Sequence, residues 1–406
     1  MTMYRAYQAQ SDMMAPLKLS AHMARRFLTG PFAAPFQNAA TRRLAAAYEM
    51  VERVGLTHGR PDFDLKTTEV GNREVQITEE AAYVLPFGTL LHFKKDVDVP
   101  QPRVLVVAPL SGHFATLLVG TVRTLLPDHD VFITDWHNAR DVSLEHGAFD
   151  FDGYVEHVIK FLEFMGPGGH LVAVCQPCVQ ALVAAAVMAQ DGNPAQPRSM
   201  TLMAGPIDCR VNPTKVNELA TSKPMSWFEQ NLISTVPMGF KGSGRKVYPG
   251  FIQLSAFVSM NVNRHLKAHM DLYEALADGD DEKATTTKNF YDEYFAVLDL
   301  AAEFYLETVQ YVFQEYRLPK GELTFRGNKL DFNAIRRTAL LTVEGERDDI
   351  CALGQTVAAH DICSGLRPHR KRHHMQAGVG HYGVFSGRKW AGQVYPIVRN
   401  HILASD

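Results

Sequence analysis

The sequence contains few cysteines, five among 406 residues, and their number is odd. A secreted disulfide scaffold of this size would need more thiols, in pairs, so a reducing cytoplasm is the expected compartment. The first twenty residues also lack the basic start, apolar stretch and small-residue cleavage site of a secretory signal. We therefore expect a chain that is not exported.

A strong net charge and a long hydrophobic run are missing as well. The 41 Lys and Arg residues nearly balance 44 Asp and Glu residues, so there is no overall basic field to hold nucleic acid. The uncharged stretch at residues 171–189 contains two glutamines and a proline, and a strand, a turn and a helix explain it better than a membrane span. We predict neither a nucleic-acid partner nor a membrane span.

Short apolar runs alternate with amphipathic stretches through most of the chain. Two helices are predicted within residues 13–55 and an antiparallel start to a sheet within residues 67–95. The alternation that follows predicts a doubly wound, mostly parallel α/β sheet, since strands buried on both faces read as continuous apolar runs. The strands are predicted at residues 103–109, 130–134, 170–174, 199–204 and 339–343, and the helices at 114–126, 152–165 and 179–190.

The alternation stops between residues 206 and 330, where the chain becomes aromatic and mostly helical. An insertion of that size predicts a cap or lid over an α/β core. The predicted organisation is an N-terminal helical segment at 1–60, a core at 61–205 and 331–406, and a cap at 206–330. Aromatic residues predicted to contact a substrate are Trp227, Phe240, Phe251 and Tyr382.

The segment HLVAVCQPCVQAL contains the most informative pattern in the chain, a buried strand that runs through a tight turn into an Ala-rich helix. This is the layout of the nucleophile elbow of α/β-hydrolases. Cys175 continues the apolar run, whereas Cys178 follows Pro177 where the helix is expected to begin. We therefore predict Cys178 as the nucleophile and Cys175 as a small core residue. A redox pair and half of a zinc site are alternatives that rest on the C-x-x-C spacing alone, and we expect no metal.

An acid and a histidine follow in the order that α/β-hydrolases use. Asp348 and Asp349 lie in the loop after the last predicted strand. We prefer Asp348, because the Asp349-Ile350 pair that follows it resembles the residues that follow the acid in related hydrolases. His381 lies in the glycine-rich loop AGVGHYG and is the predicted base. His373 and His374 are rivals, but they lie in the basic run RPHRKRHH, which predicts a water-exposed edge.

An ester-cleaving site also needs backbone N–H groups that bind the developing oxyanion. We predict that these come from Val179, directly after the predicted nucleophile, and from the turn Ser111, Gly112 and His113 that follows the first buried strand.

Four segments, VCQPCVQAL, GERDDI, GHYGVFSG and DWHNARDV, resemble the intracellular polyhydroxybutyrate depolymerase family, and the resemblance extends over nearly the whole chain. It implies a triad of Cys178, Asp348 and His381 that acts on native, amorphous polyester granules in the bacterial cytoplasm. The implied products are 3-hydroxybutyrate and its oligomers. No cofactor is implied, although coenzyme A is an alternative acyl acceptor.

Two other functions stay open on the sequence. The Asp135-Trp136 pair also resembles polyester synthases, but the Gly-x-Cys-x-Gly elbow of those enzymes is absent here. The other open function is that of a granule-coating protein that has kept a hydrolase fold without activity. Assembly into a homo-oligomer is a further open alternative.

Overall fold

A computed structural model describes residues 3–31, 35, 38–260 and 262–406 of the chain. Residues 1–2, 32–34 and 36–37 of the predicted N-terminal segment, and residue 261 of the predicted cap, lie outside the described residues.

The described residues form fourteen strands, most of them in one large sheet. The strands are β1 (Thr67–Val70), β2 (Arg73–Leu85), β3 (Gly88–Lys95), β4 (Arg103–Val107), β5 (Asp130–Trp136), β6 (His170–Val174), β7 (Ser199–Met203), β8 (Ser234–Thr235), β9 (Lys246–Tyr248), β10 (Leu300–Ala301), β11 (Thr324–Phe325), β12 (Asn328–Lys329), β13 (Ala339–Gly345) and β14 (Lys371–Gln376).

The large sheet has nine strands in the order β1-β2-β3-β5-β4-β6-β7-β13-β14. From β5 to β14 neighbouring strands are parallel, and β1, β2 and β3 add an antiparallel edge. All residues of β6, β7 and β13 are buried, as expected of parallel strands covered on both faces. The order of the strands reverses between β5, β4 and β6, and in open α/β sheets ligands bind beside such a point, at the carboxyl ends of the strands.

Fifteen α-helices in the described part of the chain accompany the strands. They are α1 (Met3–Thr29), α2 (Ala39–Glu52), α3 (Val119–Leu125), α4 (Phe151–Met165), α5 (Cys178–Gln190), α6 (Lys215–Thr221), α7 (Met225–Leu232), α8 (Gly250–Met260), α9 (Val262–Asp278), α10 (Asp281–Tyr294), α11 (Ala302–Thr308), α12 (Arg317–Lys320), α13 (Ala359–Ile362), α14 (Gly387–Lys389) and α15 (Tyr395–Leu403). Helix α5, which directly follows β6, is buried at ten of its thirteen positions, and its alanines allow it to lie close to its neighbours.

The main sheet is built entirely from residues 67–203 and 339–376, and the chain between them forms α6 to α12 with short strands. The region is mostly helical, as the sequence predicted, and strands β8, β9 and β10 pair there in a small antiparallel sheet that the sequence did not predict. These strands have two or three residues each, too few for an alternating pattern to identify them. No helix among the described residues is long and apolar enough to cross a membrane.

Helix α1 begins at Met3, ten residues before the predicted start, and includes Pro16. Its first turn is fixed to the cap by Tyr4, whose buried hydroxyl donates a hydrogen bond to the Asp299 carboxylate. The other oxygen of Asp299 accepts a hydrogen bond from the backbone N–H of Gly250, the first residue of α8, at 2.9 Å. Burial raises the pKa of Asp299 to about 6, and the hydrogen bonds from Tyr4 and Gly250 act in the opposite direction.

We expect Tyr4→Phe to destabilise the protein in a pH-dependent way. The pKa of Asp299 in the folded protein exceeds its usual value of 3.8, so the protonated form is favoured by folding, and that contribution is lost as the pH rises through 6. At pH 7 the variant leaves one oxygen of a buried carboxylate without its donor, which we expect to cost about 1–3 kcal/mol. At pH 5 the carboxyl group is mostly neutral, and the loss should be smaller.

Urea unfolding at the two pH values measures this difference. The matched control is Tyr7→Phe, which removes a hydrogen bond of 3.0 Å to His58. Burial lowers the pKa of His58 to about 3, so its charge does not change between pH 5 and pH 7. A loss of stability that is equal at both pH values for Tyr4→Phe would contradict the role given to Asp299.

Candidate active site

Cys175 occupies the turn between β6 and α5 in a backbone conformation that is unusual for a residue with a side chain. Its φ angle is +68°, in the left-handed region, and such strain persists only where the surroundings impose it. The Cys175 N–H donates to the carbonyl of Met203 at 2.8 Å, and its own carbonyl accepts from the N–H of Cys178 at 3.1 Å. The turn therefore presents the Cys175 thiol, partly exposed, at the carboxyl end of the sheet.

Cys178 is the first residue of α5, and its side chain is completely buried. Its thiol lies 3.4 Å from the carbonyl oxygen of Ala173 and 3.6 Å from that of Met203. A Cβ atom at Gly205 would overlap the Cys178 side chain, so these two residues are packed directly against each other. Burial raises the pKa of the Cys178 thiol well above its usual value, which disfavours the thiolate.

The structure thus contradicts the predicted roles of the two cysteines. Cys178 is the core thiol, and Cys175 is the residue at the elbow. With Ala173 two positions before and Pro177 two positions after, Cys175 is flanked by compact residues, and Pro177 directly precedes the helix. These features were visible in the sequence.

Asp348 and His381 are brought together as the sequence predicted. His381 Nδ1 lies 2.8 Å from Asp348 Oδ2, and both side chains are buried. The other carboxylate oxygen, Oδ1, accepts hydrogen bonds from the backbone N–H groups of Ile350 at 2.9 Å and Cys351 at 2.8 Å. Asp349 is exposed, so the choice between the two acids falls on Asp348.

The imidazole of His381 also contacts the Cys175 thiol. Burial lowers the pKa of His381, but Cys175 and Asp348 raise it by more, so the pKa lies well above its usual value of 6.5. Since Nδ1 faces Asp348, the second ring nitrogen, Nε2, is the one available to the thiol. Cys175, His381 and Asp348 therefore form a connected row, in the arrangement that a nucleophile, a base and an acid would need.

The two rival histidines lie elsewhere. His373 and His374 are in the edge strand β14, where His373 Nδ1 is 3.0 Å from Thr342 Oγ1 and His374 Nε2 is 3.0 Å from Gln376 Oε1. Neither lines a cavity that contains Cys175.

A buried carboxylate that sequence analysis missed holds the loop carrying Asp348. Glu344, in β13, accepts backbone hydrogen bonds from Thr356 at 2.7 Å, from Val357 at 2.9 Å and from Gly354. The Thr356 hydroxyl in turn exchanges hydrogen bonds with the backbone N–H and carbonyl of Gly205. Glu344 therefore ties this loop to the sheet, and its position in an apolar strand was the signal in the sequence.

The backbone N–H that directly follows the elbow residue belongs to Gln176, not to Val179. Val179 is fully buried in the first turn of α5, where its N–H points to the Gln176 carbonyl at 3.4 Å. Val179 was predicted because it directly follows Cys178. With Cys175 at the elbow, the prediction for Val179 is wrong, and the corresponding N–H is that of Gln176. Gln176 lines the same cavity as Cys175, as expected of an oxyanion-binding residue.

The three residues of the predicted turn after β4 have different surroundings. Ser111 and the preceding Leu110 line the cavity beside Cys175, so their backbone is placed to supply the second N–H. Gly112 has a φ angle of +96°, its carbonyl accepts from the N–H of Leu298, and a Cβ there would press against Gln253. His113 is a wall residue: its Nε2 donates to the Tyr294 carbonyl at 3.2 Å, and burial lowers its pKa to about 4, so it is neutral.

A cavity of about 340 Å³ adjoins the thiol of Cys175. Its wall contains no Asp, Glu, Lys or Arg among the described residues and is mostly aliphatic and aromatic. Trp227 and Tyr382 line it, in agreement with their predicted position. Phe240 and Phe251 do not: Phe240 lies under the guanidinium of Arg140, and Phe251 is buried against Tyr7, at a ring distance of 4.1 Å.

All five cysteines are free, and the four other than Cys175 are buried. No cluster of three or more His, Cys, Asp or Glu side chains within the described part of the chain is arranged to hold a metal ion.

The strand order, the left-handed conformation of Cys175 at the strand-to-helix turn, and the chain order Cys175, Asp348, His381 define the α/β-hydrolase class. The chain belongs to the PHB (polyhydroxybutyrate) depolymerase family: the family model for the C-terminus of these enzymes matches residues 204–406, half of the chain. It is thereby an ester hydrolase. A search among curated proteins found no match.

Several solved structures are similar to this chain. A putative lipase from Acinetobacter baumannii is 14% identical with a TM-score of 0.46, and the match covers 82% of this chain and 93% of the lipase. For 2-hydroxy-6-oxo-6-phenylhexa-2,4-dienoate hydrolase from a Rhodococcus strain the identity is 11%, the TM-score 0.42 and the coverage 81% and 99%. For an epoxide hydrolase from Bacillus megaterium these values are 12%, 0.44, 83% and 99%.

Proposed function

We propose that this protein hydrolyses the ester bonds of poly(3-hydroxybutyrate) in native, amorphous granules, through a thioester formed on Cys175. The observation that carries the proposal is the row Cys175, His381 and Asp348, which adjoins a cavity without charged side chains in a member of the polyhydroxybutyrate depolymerase family. The repeating unit of this polymer bears only methyl and ester groups, and an apolar wall suits it.

In the first half-reaction, His381 Nε2 takes the proton of the Cys175 thiol while Asp348 holds the Nδ1 proton. The sulfur attacks the ester carbonyl carbon, a C–S bond forms, and the carbonyl electron pair moves to the oxygen. The N–H of Gln176 and the backbone at Leu110 and Ser111 bind that oxyanion. The C–O bond then breaks, and Nε2 returns the proton to the leaving alkoxide, which leaves a 3-hydroxyacyl thioester.

In the second half-reaction an acceptor replaces the departed alcohol. Water gives a proton to His381 Nε2, its oxygen attacks the thioester carbon, the C–S bond breaks, and the proton returns to sulfur. The product is a free 3-hydroxy acid. Coenzyme A is an alternative acceptor by the same route, because its thiol also gives its proton to Nε2, and it would release a 3-hydroxyacyl thioester. No cofactor takes part in either route.

The granule surface is the proposed partner, and exposed apolar side chains support this. On α1, five large apolar residues are more than half exposed: Met13, Leu17, Leu19, Met23 and Phe27. On α9, Val262, Leu266 and Met270 are spaced four residues apart and are also exposed. Contact with an apolar polymer phase would remove these side chains from water, which is favourable. We place the protein in the cytoplasm, on granules, where a reducing environment keeps Cys175 as a thiol.

The test is incubation of native granules with the purified protein, with and without coenzyme A, followed by mass spectrometry of the soluble products. We expect 3-hydroxybutyrate and its oligomers, and coenzyme A thioesters of the acyl part of the chain if coenzyme A is the better acceptor. Cys175→Ala is the negative control. Activity on small esters without release from granules would overturn the proposal.

Two other outcomes correspond to the alternative functions. Incorporation of 3-hydroxybutyryl-coenzyme A into polymer would identify a synthase. Granule binding without any turnover, unchanged in Cys175→Ala, would identify a coating protein.

A further inference from the structure

A second groove lies on the other side of His381 from the apolar cavity. It measures about 660 Å³ and is formed between α9, α10 and the loop around His381. The groove and the apolar cavity share three lining residues, Ile350, His381 and Tyr382. The two spaces therefore meet at the proposed base.

The walls of the two spaces differ in chemistry. Among the described residues, no charged side chain lines the apolar cavity, whereas the groove is lined by Arg264, Asp349 and the hydroxyl residues Thr286, Thr287 and Ser386. His265 also lines the groove, and burial together with the charge of Arg264 lowers its pKa, which favours its neutral form.

Arg264 is the unpaired cation of this groove. It is exposed, and no ion pair to it is present among the described residues, although Lys267, one turn along α9, pairs with Asp271 at 3.0 Å. The charge of Arg264 affects Tyr382, which lines both spaces. Burial raises the pKa of Tyr382, and the positive charge of Arg264 partly offsets that rise. Asp349 has no ion-pair partner among the described residues either, so the two side chains do not neutralise each other by direct contact.

The reaction decides which part of the substrate belongs in each space. Of these two spaces, Cys175 lines the apolar cavity and not the groove, so the acyl part of the chain lies in the cavity. The leaving oxygen must reach His381 Nε2 to be protonated, which places the alcohol part on the histidine side. In a poly(3-hydroxyalkanoate), the alcohol part of any ester bond continues to the carboxyl end of the polymer.

We infer that the groove binds the leaving fragment of the polyester and that Arg264 pairs with the free carboxylate at its end. The inference rests on the proposed function and adds a direction to it: the enzyme removes short fragments from the carboxyl end of a chain. The rest of the chain then stays on Cys175 as the thioester until water or coenzyme A releases it. A guanidinium matches a carboxylate with two parallel hydrogen bonds, which a neutral ester end cannot provide. Asp349 disfavours a carboxylate placed near it, so the end of the fragment lies on the Arg264 side.

The experiment compares a 3-hydroxybutyrate tetramer as the free acid with the same tetramer as its methyl ester. Chromatography of the products gives kcat/KM for each, and the ratio is the readout, because loss of folding or of chemistry lowers both values together. We expect the wild-type protein to prefer the free acid about tenfold or more, since a charged hydrogen bond replaces a neutral one. Arg264→Gln should bring the ratio close to one, and Arg264→Lys should keep part of it.

Lys267→Gln is the matched control, since it removes a cation from the same helix without touching the groove. Its ratio should equal that of the wild-type protein. Equal cleavage of both tetramers by the wild-type protein, or an unchanged ratio in Arg264→Gln, would overturn the inference and leave the proposed function intact. If the wild-type protein cleaves neither tetramer nor the granules, both the inference and the proposed function are wrong.

Discussion

Replacing Cys175 with alanine is expected to lower kcat/KM for ester hydrolysis by about 10⁴-fold, because it removes the thiol that contacts His381 and that we propose forms the acyl intermediate. Cys178→Ala, the matched substitution three residues away, should keep activity within about threefold of the wild type. It removes one buried sulfur atom and should cost about 1 kcal/mol of stability, which thermal unfolding measures. Equal loss of activity in the two variants would contradict the assignment of Cys175.

Thiol alkylation of the native protein is an independent test of Cys175 as the reactive thiol. Burial raises the pKa of Cys178 and Cys351 well above the usual value and that of Cys363 to about 12, and Cys209 is shifted in the same direction. Iodoacetamide should therefore modify one thiol per chain, Cys175, in step with loss of activity. Mass spectrometry locates the modified residue.

Asp348→Asn is expected to lower kcat by about 10³ to 10⁴-fold with the fold intact. The Asn oxygen can still accept from the N–H groups of Ile350 and Cys351, so the side-chain amide group is turned toward His381. His381 Nδ1 must then act as an acceptor, which places the ring proton on Nε2, where it cannot take the proton of Cys175.

The same substitution should alter the pH dependence of Cys175 alkylation. Asp348 helps to hold the pKa of His381 well above 6.5, and its loss lowers that pKa. Below its pKa, His381 carries a positive charge next to the sulfur of Cys175, so in the variant this charge is lost at a lower pH and alkylation near neutral pH becomes slower. Asp361→Asn, an exposed neighbour in α13, is the control and should behave as the wild type. An unchanged profile in Asp348→Asn would refute the role of Asp348.

Much of the core was predictable because its strands are buried on both faces. The run at 170–174 coincides with β6, and the run at 339–343 falls within β13. The order of acid and base along the chain was sufficient to pair Asp348 with His381 across 33 residues. By contrast, the predicted helix at 114–126 is an α-helix only over Val119–Leu125 and is preceded by a 3-10 turn, because helix ends depend on local capping.

The choice between the two cysteines failed for a conformational reason. An apolar run does not indicate where its last residue leaves the extended conformation, and Cys175 does so at a φ angle of +68°. Two of the four predicted substrate aromatics, Phe240 and Phe251, do not line the cavity, for a related reason. An aromatic side chain near a site packs equally well into the core, as Phe251 does against Tyr7, and only the three-dimensional arrangement separates the two cases.

The hydrogen bonds between Glu344 and the loop that carries Asp348 have a consequence for protein engineering. The reacting groups are supported by the main sheet through β6, β13 and the bonds of Glu344 and Thr356, whereas Trp227 and Arg264, which face the substrate spaces, come from the cap. Chimeras that exchange residues 206–330 between relatives can therefore alter which polyester is accepted while the reaction steps are kept. The loop from β13 to Thr356, in contrast, is a poor place for insertions or deletions.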